Sequence, residues 1–143
     1  MLDKKCKVRV KEACHSEDIQ PGTVYIAPPD YHMLIEDDFT ITLNMDEKLN
    51  FSRPSIDVLF ESAADVFRRN LIGILLTGGN SDGSRGLKKI FDKGGKTIVQ
   101  RPEDAIASEM PSSALRLFKP HKILTLREVG LLLADINSIG IGV

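Results

Sequence analysis

The sequence lacks several features that would assign it to a specialised class of protein. Its 143 residues include only two cysteines and no tryptophan, and 19 Lys plus Arg are balanced by 20 Asp plus Glu. Two cysteines are too few for a disulfide framework and suit a reducing compartment. A net charge of −1 creates no overall field toward nucleic acid or an anionic membrane. We therefore expect a cytoplasmic protein that does not bind nucleic acid.

Long apolar stretches are also absent. No segment approaches the roughly 18 uninterrupted apolar residues that a membrane-spanning helix needs, and residues 1–18 have no apolar core of a secretory signal. We therefore expect no membrane insertion. With 42% hydrophobic residues the chain can bury a core, and its length suits one domain over residues 1–143 rather than two.

Hydropathy patterns predict a β-rich beginning followed by alternating helices and strands. Strands are predicted at 6–11, 23–27, 31–35, 39–43, 71–76, 97–100 and 123–124, the third and fourth forming a hairpin. Helices are predicted at 56–70, 84–93, 111–118 and 126–136, the last opened by a Thr125-x-x-Glu128 capping box. This order predicts an antiparallel β start and then a doubly wound, mostly parallel α/β sheet.

The loop at 77–86, after the predicted central strand, holds the strongest candidate for chemistry. Ligands of open α/β sheets bind at the carboxyl ends of strands, and this loop places Asp82 there among four glycines. An acid in this position can orient a histidine base, cap the helix that begins near Ser84, or bind a metal. The glycines also permit a phosphate cradle, although their spacing matches neither G-x-G-x-x-G nor a P-loop. Residue types alone leave these alternatives open.

The remaining polar candidates are isolated in the sequence. His32 follows a Pro-Pro turn at a strand end, which suits a functional role, but a lone histidine is more often structural or solvent-facing. Arg53 stands at a helix start, where it can bind a carboxylate or phosphate, or simply pair with Asp57 on the surface. No metal site is predicted, because no zinc spacing is formed by Cys6, Cys14 and His15.

No serine is marked as a nucleophile by the sequence. A G-x-S-x-G elbow is absent. Five serines stand where helix caps or first turns are predicted, and capping is their expected role: Ser52, Ser55, Ser84, Ser112 and Ser113.

Several of these stretches together resemble the catalytic domain of the chemotaxis protein-glutamate methylesterase (CheB) family. The resemblance covers residues 6–136 in order and spacing. It is carried by Val24-Tyr25-Ile26-Ala27-Pro28-x-x-x-His32-Met33, Arg53-Pro54-Ser55-Ile56-Asp57-Val58-Leu59-Phe60, Ile74-Leu75-Leu76-Thr77-Gly78-x-x-x-Asp82-Gly83-x-x-Gly86 and Met110-Pro111.

The resemblance implies a serine hydrolase that removes methyl esters from glutamate side chains of chemoreceptors without a cofactor. It places the triad aspartate at Asp82 and an oxyanion-directed backbone N–H at Gly79, where the family's usual methionine is replaced. It places His32, Met33 and Arg53 in the cleft as lining residues only.

The resemblance also implies that the family's nucleophilic serine and base histidine lie upstream of every matched stretch. We therefore expect a truncated domain without the first strands of the family fold, inactive alone because an orienting acid performs no hydrolysis by itself. The partners expected are a methylated chemoreceptor, a receiver domain or missing N-terminal segment, and further copies associating through an exposed sheet edge. The alternative is a non-catalytic receptor-docking module derived from the same fold.

Overall fold

Four short strands form two pairs in the first part of the structure, a computed structural model that describes residues 8–139, with side chains to residue 135. Strand β1 (Arg9–Glu12) pairs with β2 (Thr23–Ile26), and β3 (His32–Ile35) pairs with β4 (Ile41–Asn44). The second pair is antiparallel, which confirms the predicted hairpin. The first pair is parallel, so the predicted antiparallel start is wrong there. Alternating hydropathy shows which side chains are buried but not the direction of the neighbouring strand.

The remainder of the chain alternates between helix and strand, as predicted. The elements in order are α1 (Ile56–Phe67), β5 (Ile72–Leu75), α2 (Ser84–Asp92), β6 (Lys96–Gln100), α3 (Glu109–Leu117), β7 (Lys122–Leu124) and α4 (Leu126–Ile139). Strands β5, β6 and β7 lie side by side in that order and are all parallel. The mixed α/β fold with a parallel sheet and a small antiparallel pair is thus confirmed. Residues 6 and 7 of the first predicted strand lie outside the described residues.

Side-chain caps mark the starts of α1 and α4. Ser55 caps α1 by accepting a hydrogen bond from the backbone N–H of Val58 at 3.4 Å. The predicted capping box is present before α4, where the Thr125 N–H donates to Glu128 Oε1 at 2.8 Å and the Glu128 N–H donates to Thr125 Oγ1 at 3.1 Å. No helix among residues 8–139 is long and apolar enough to cross a membrane.

Two apolar clusters hold the elements together. The larger one joins α1, α2 and α3 to β5 and β6, and its buried members are Ala64, Leu75, Leu87, Ile90, Val99, Met110 and Ala114. The smaller one lies beneath the β3–β4 hairpin and contains Ala13, Met33 and Ile41, with Leu59 of α1 packed against it. Helix α1 therefore contacts both clusters. Its first turn is fixed between the hairpin and the loop that follows β5.

Candidate functional site

Asp82 lies in the loop after β5 and is bonded to the first turn of α1. Its Oδ1 accepts from the Ser55 hydroxyl at 2.9 Å and from the Asp57 N–H at 3.1 Å, and its Oδ2 accepts from the Ile56 N–H at 2.6 Å. The side chain is only 2% exposed. The positive end of the α1 dipole and these three donors stabilise a buried carboxylate.

Asp57, in that first turn of α1, makes the reciprocal contact with α2. Its Oδ1 accepts from the Gly83 N–H at 3.1 Å and from the Gly86 N–H at 2.7 Å, and its Oδ2 accepts from the Asn50 amide at 3.5 Å. Each aspartate thus caps the helix adjoining the other one. We call this closed arrangement of Asp57, Asp82 and the amides they share the aspartate ring.

The aspartate ring corrects two of the alternatives considered for the loop. Asp82 does not cap α2, because its carboxylate is bonded to the amides of α1 and the N-cap residue of α2 is Gly83. A phosphate cradle at the start of α2 is also disfavoured, because the amides of Gly83 and Gly86 are already bonded to the Asp57 carboxylate.

The electrostatics of the ring are unfavourable for Asp57. Burial raises the pKa of its carboxyl above the ordinary value; the Gly86 N–H opposes this shift, and the negative charge of Asp82 reinforces it. Two buried carboxylates side by side cost stability, which the backbone amides only partly offset.

His32 is buried, and both of its ring nitrogens are bonded to backbone. Nδ1 accepts from the Ser55 N–H at 3.2 Å, and Nε2 lies 2.9 Å from the Glu47 carbonyl oxygen. Because a carbonyl only accepts and an amide N–H only donates, the partners assign the neutral Nε2–H tautomer. His32 therefore supports the start of α1 and has no lone pair free to act as a base.

Ser55 touches His32 through its backbone and Asp82 through its hydroxyl. The Oγ–H is directed to Asp82 Oδ1, and the residue is 2% exposed. A nucleophilic serine needs its hydroxyl on a base and open to substrate. The predicted capping role of Ser55 is confirmed.

Arg53 is paired with Asp30, not with Asp57 as one interpretation predicted. Its Nη2 and Nε donate to Asp30 Oδ1 at 2.9 and 3.3 Å, and its Nη1 donates to the carbonyl oxygens of Met45 and Asp46. Asp57 points the other way, into the protein interior. The guanidinium of Arg53 therefore fastens the chain around residues 45–46 to the turn before β3.

The first residues of the loop after β5 are held by α3 and by the segment just before it. The Gly78 N–H donates to the Ala107 carbonyl, and the Met110 N–H donates to the Gly78 carbonyl, both at 3.0 Å. Gly79, next along the loop, is exposed, and its N–H has no acceptor among residues 8–139. Met33, predicted in the cleft, is buried in the core beneath the hairpin.

No metal site is formed by the described residues. No group of three or more His, Cys, Asp or Glu side chains within the described part of the chain can hold an ion. Cys14 is an exposed free thiol, and His15 Nδ1 accepts from the Leu43 N–H at 3.0 Å. Cys6 lies outside the described residues.

Two residues of the site were not predicted by the sequence analysis. Gln100, at the end of β6, accepts from the Thr77 N–H and donates to Asp104, both at 2.9 Å, and so fixes the start of the loop. Asp57 was taken for a surface residue. Its spacing carried a signal, because residues 57, 60 and 64 lie on one helical face, and Phe60 and Ala64 belong to the core.

Comparison with known proteins identifies the family to which the sequence is similar. The profile of the CheB methylesterase family matches residues 1–133. A Leptospira interrogans protein named as a protein-glutamate methylesterase/protein-glutamine glutaminase is 49% identical over 129 residues, which are 90% of this chain and 67% of that protein. Protein-glutamate methylesterase FrzG of Myxococcus xanthus is 39% identical over 129 residues, 90% of this chain but 39% of FrzG.

A solved structure has the same fold. The CheB methylesterase catalytic domain of Thermotoga maritima superposes with a TM-score of 0.85 at 30% identity, covering 94% of this chain and 73% of that domain. About a quarter of the Thermotoga domain therefore has no counterpart in this chain. Sequence and structure lead to one conclusion: the chain belongs to the CheB methylesterase family.

Proposed function

We propose that Asp82 is the acidic member of a Ser-His-Asp triad that hydrolyses glutamate methyl esters on a protein. The observation that carries this proposal is the fixed, buried carboxylate at the carboxyl end of β5. Oδ1 has two donors and Oδ2 has one, so Oδ2 retains a site for one further donor. An imidazole N–H bonded there would be held in one tautomer, and its cationic form would be stabilised.

Gly79 supplies the second element of the proposed chemistry. Its exposed N–H can donate to the oxyanion that develops on the ester carbonyl, without first breaking a bond within residues 8–139. The resemblance assigns His32, Met33 and Arg53 to the cleft. Met33 is buried in the core beneath the hairpin, and His32 and Arg53 hold backbone through hydrogen bonds. The proposal therefore gives none of them a part in proton transfer.

The proposal assigns the serine and histidine of the triad to a further segment. Among residues 8–135, the Ser55 hydroxyl is bonded to Asp82, and the ring nitrogens of His32 are bonded to backbone. The resemblance assigns the nucleophile and base to positions outside the matched motifs. The unmatched quarter of the Thermotoga domain is long enough to hold both.

The structure offers a place for such a segment. Strand β5 is hydrogen-bonded to β6 on one side, and no described strand pairs with its other edge. An apolar cavity of about 220 Å³ lies between β5 and strands β2–β4 and is lined by Tyr25, Met33, Leu59, Ile72 and neighbouring apolar residues. A strand inserted beside β5 would fill this cavity and pair that edge. Without one, we expect copies of the chain to associate through the same edge.

The substrate proposed is a methylated chemoreceptor, in the cytoplasm. The relatives are named for action on protein-bound glutamate, and the resemblance identifies chemoreceptors as the family's substrates. The Leptospira name adds glutaminase activity. Deamidation of glutamine is attack on the same side-chain carbonyl with ammonia leaving in place of methanol.

The test is methanol release from methylated chemoreceptor. The chain would be assayed alone and together with a separate polypeptide carrying the part of the Leptospira relative that the chain does not match, called here the complementing polypeptide. We expect release from the mixture only, and none from a mixture containing Asp82→Ala. Activity of the chain alone would show that the nucleophile lies within it. No release from any mixture would overturn the proposal.

The second candidate function is a docking module without catalysis. It is favoured by the contacts of Ser55 and His32, because the Ser55 hydroxyl is bonded to Asp82 and both ring nitrogens of His32 are bonded to backbone. Such a module would bind the receptor equally well with and without the complementing polypeptide. It would also retain its affinity in Asp82→Asn, because an orienting acid is not needed for binding. A pull-down with quantified receptor distinguishes the two functions.

A further inference from the structure

We infer that Asp57 is a positioning residue for Asp82: through the aspartate ring it fixes the loop that presents the Asp82 carboxylate. The inference deepens the proposed function and rests on it for its catalytic part. Asp57 has no place in the triad and does not line the cleft. It acts on Asp82 through backbone amides: its own N–H donates to Asp82, and its carboxylate accepts from Gly83 and Gly86.

The first observation is that the ring is closed. The Asp57 N–H donates to Asp82 Oδ1 at 3.1 Å, and the N–H of Gly83, the residue after Asp82, donates to Asp57 Oδ1 at 3.1 Å. The Asp82 carboxylate therefore holds the backbone of Asp57, and the Asp57 carboxylate holds the backbone of the residue after Asp82, 25 residues along the chain from Asp57. Displacing Asp57 would free Gly83 and Gly86 and with them the loop that carries Asp82.

The second observation is that the ring requires two glycines. Gly83 has φ of +99°, where a side chain is strained, and a Cβ there would lie 2.5 Å from Leu75 Cδ1. A Cβ on Gly86 would lie 2.6 Å from Phe60 Cβ and 3.1 Å from Asp57 Oδ1. The Asp57 carboxylate reaches these amides only because both positions lack side chains.

The third observation is the cost of the ring. Asp57 is 1% exposed beside another buried carboxylate, which destabilises the folded chain. A neutral cap such as serine or asparagine satisfies helix amides without a second negative charge. A costly arrangement retained beside a candidate active site fits a requirement for position rather than for stability.

The test is amide hydrogen exchange in Asp57→Ala, Asp57→Asn and Asp65→Ala. Exchange at residues 83 and 86 reports the contacts of Asp57, and exchange at Ile56 reports its hydrogen bond to Asp82. We expect Asp57→Ala to accelerate all three by about tenfold or more. Asp57→Asn, which keeps one acceptor oxygen, should stay within about threefold of the wild type. Asp65→Ala is the matched control, because it removes an α1 carboxylate that contacts α2 only through surface lysines.

A second readout is hydrolysis by the mixture with the complementing polypeptide. We expect Asp57→Ala to lower kcat by about tenfold, to leave KM within about twofold, and to be rescued by Asp57→Asn. Unchanged kcat in Asp57→Ala, with loss in Asp82→Ala, would overturn the inference and leave the proposed function standing. If no mixture hydrolyses the ester, the proposed function fails. Hydrogen exchange alone then decides whether Asp57 positions the loop that carries Asp82.

Two exchange results would contradict the inference. One is acceleration at Gly83 and Gly86 with Ile56 still protected, because Asp57 would then not control Asp82. The other is loss of Ile56 protection in a folded Asp57→Asn variant, which would assign the effect to charge instead of position. The exchange of Ile56 in Asp57→Asn remains measurable even if Asp57→Ala does not fold.

Discussion

The first turn of α1 and the loop before α2 present two aspartates with the same pattern of contacts. In Asp57 and in Asp82 alike, Oδ1 accepts from two donors and Oδ2 from one. Both are buried. Burial and the number of hydrogen bonds therefore do not show which of the two carboxylates is the better candidate for a catalytic acid.

The two aspartates differ in their place in the fold. Asp82 follows a strand of the parallel sheet, at the end where ligands bind in open α/β proteins, and Gly79 with its exposed N–H lies in the same loop. Asp57 is buried where α1 packs against α2. Its third hydrogen bond, from the Asn50 amide, is long at 3.5 Å. Position in the fold therefore favours Asp82 for the proposed catalytic role, whereas burial does not distinguish the two residues.

The largest effect on stability is expected from removing either ring carboxylate. Asp82→Ala leaves a hydroxyl and two helix amides buried without acceptors, and we expect a loss of about 3 kcal/mol of unfolding free energy. Asp82→Asn keeps one acceptor oxygen and should lose less. Urea unfolding followed by circular dichroism measures both. Equal stability of Asp82→Ala and the wild type would show that the ring does not hold the two helices.

A smaller loss of unfolding free energy is expected when a methyl group is placed against the aspartate ring and both carboxylates are kept. Gly86→Ala places a methyl group against Phe60 and Asp57 and should cost about 2 kcal/mol. Gly79→Ala is its control, because a Cβ there meets nothing within 4 Å. The control should stay within about 0.5 kcal/mol. Similar losses in the two variants, measured by thermal and urea unfolding, would contradict the close packing at Gly86.

The pH dependence separates Asp57 from ordinary carboxylates. Because burial raises the pKa of Asp57 in the folded state, its favourable contribution is complete below the unfolded value of about 4 and is lost as pH rises through the folded value. Asp57→Asn removes this titration. The stability of the wild type relative to Asp57→Asn should therefore fall as the pH rises above about 4. A difference that rises with pH would mean that the amides outweigh burial.

The smallest effect is expected at the surface contact between the same two helices. Asp65 of α1 bonds to Lys89 of α2 at 2.9 Å, and this ion pair lowers the pKa of Asp65. Because the pair is exposed to solvent, Asp65→Ala should cost about 0.5 kcal/mol at low salt and less at high salt. Urea midpoints at two salt concentrations test this. A loss as large as that of Asp82→Ala would remove the contrast between the two contacts.

Elements whose signals are local could be predicted from the sequence. The hairpin, the alternation of helix and strand from residue 56, and the capping box at Thr125 all depend on neighbours a few residues apart. The parallel pairing of β1 with β2 could not be predicted, because hydropathy does not encode strand direction.

The site was predicted only in part, because its contacts are long-range. The catalytic role of Asp82 stays a prediction, and the residues that bond to its carboxylate, at positions 55–57, are 25 or more residues away. One of the alternatives left open for Arg53 paired it with Asp57, four positions along the chain, whereas it bonds to Asp30, 23 residues away. Local spacing favours the near partner, and only the fold brings the distant one into contact.

The most direct measurement compares Asp82→Asn with Asp57→Asn in methanol release by the mixture with the complementing polypeptide. Both variants replace a buried carboxylate by an amide of the same shape, so circular dichroism should show two folded proteins. We predict a loss of about 100-fold or more for Asp82→Asn, because the tautomer and charge of the histidine are no longer held, and a change within about threefold for Asp57→Asn. Equal losses in the two variants, or a greater loss in Asp57→Asn, would contradict the assignment of Asp82 as the triad acid.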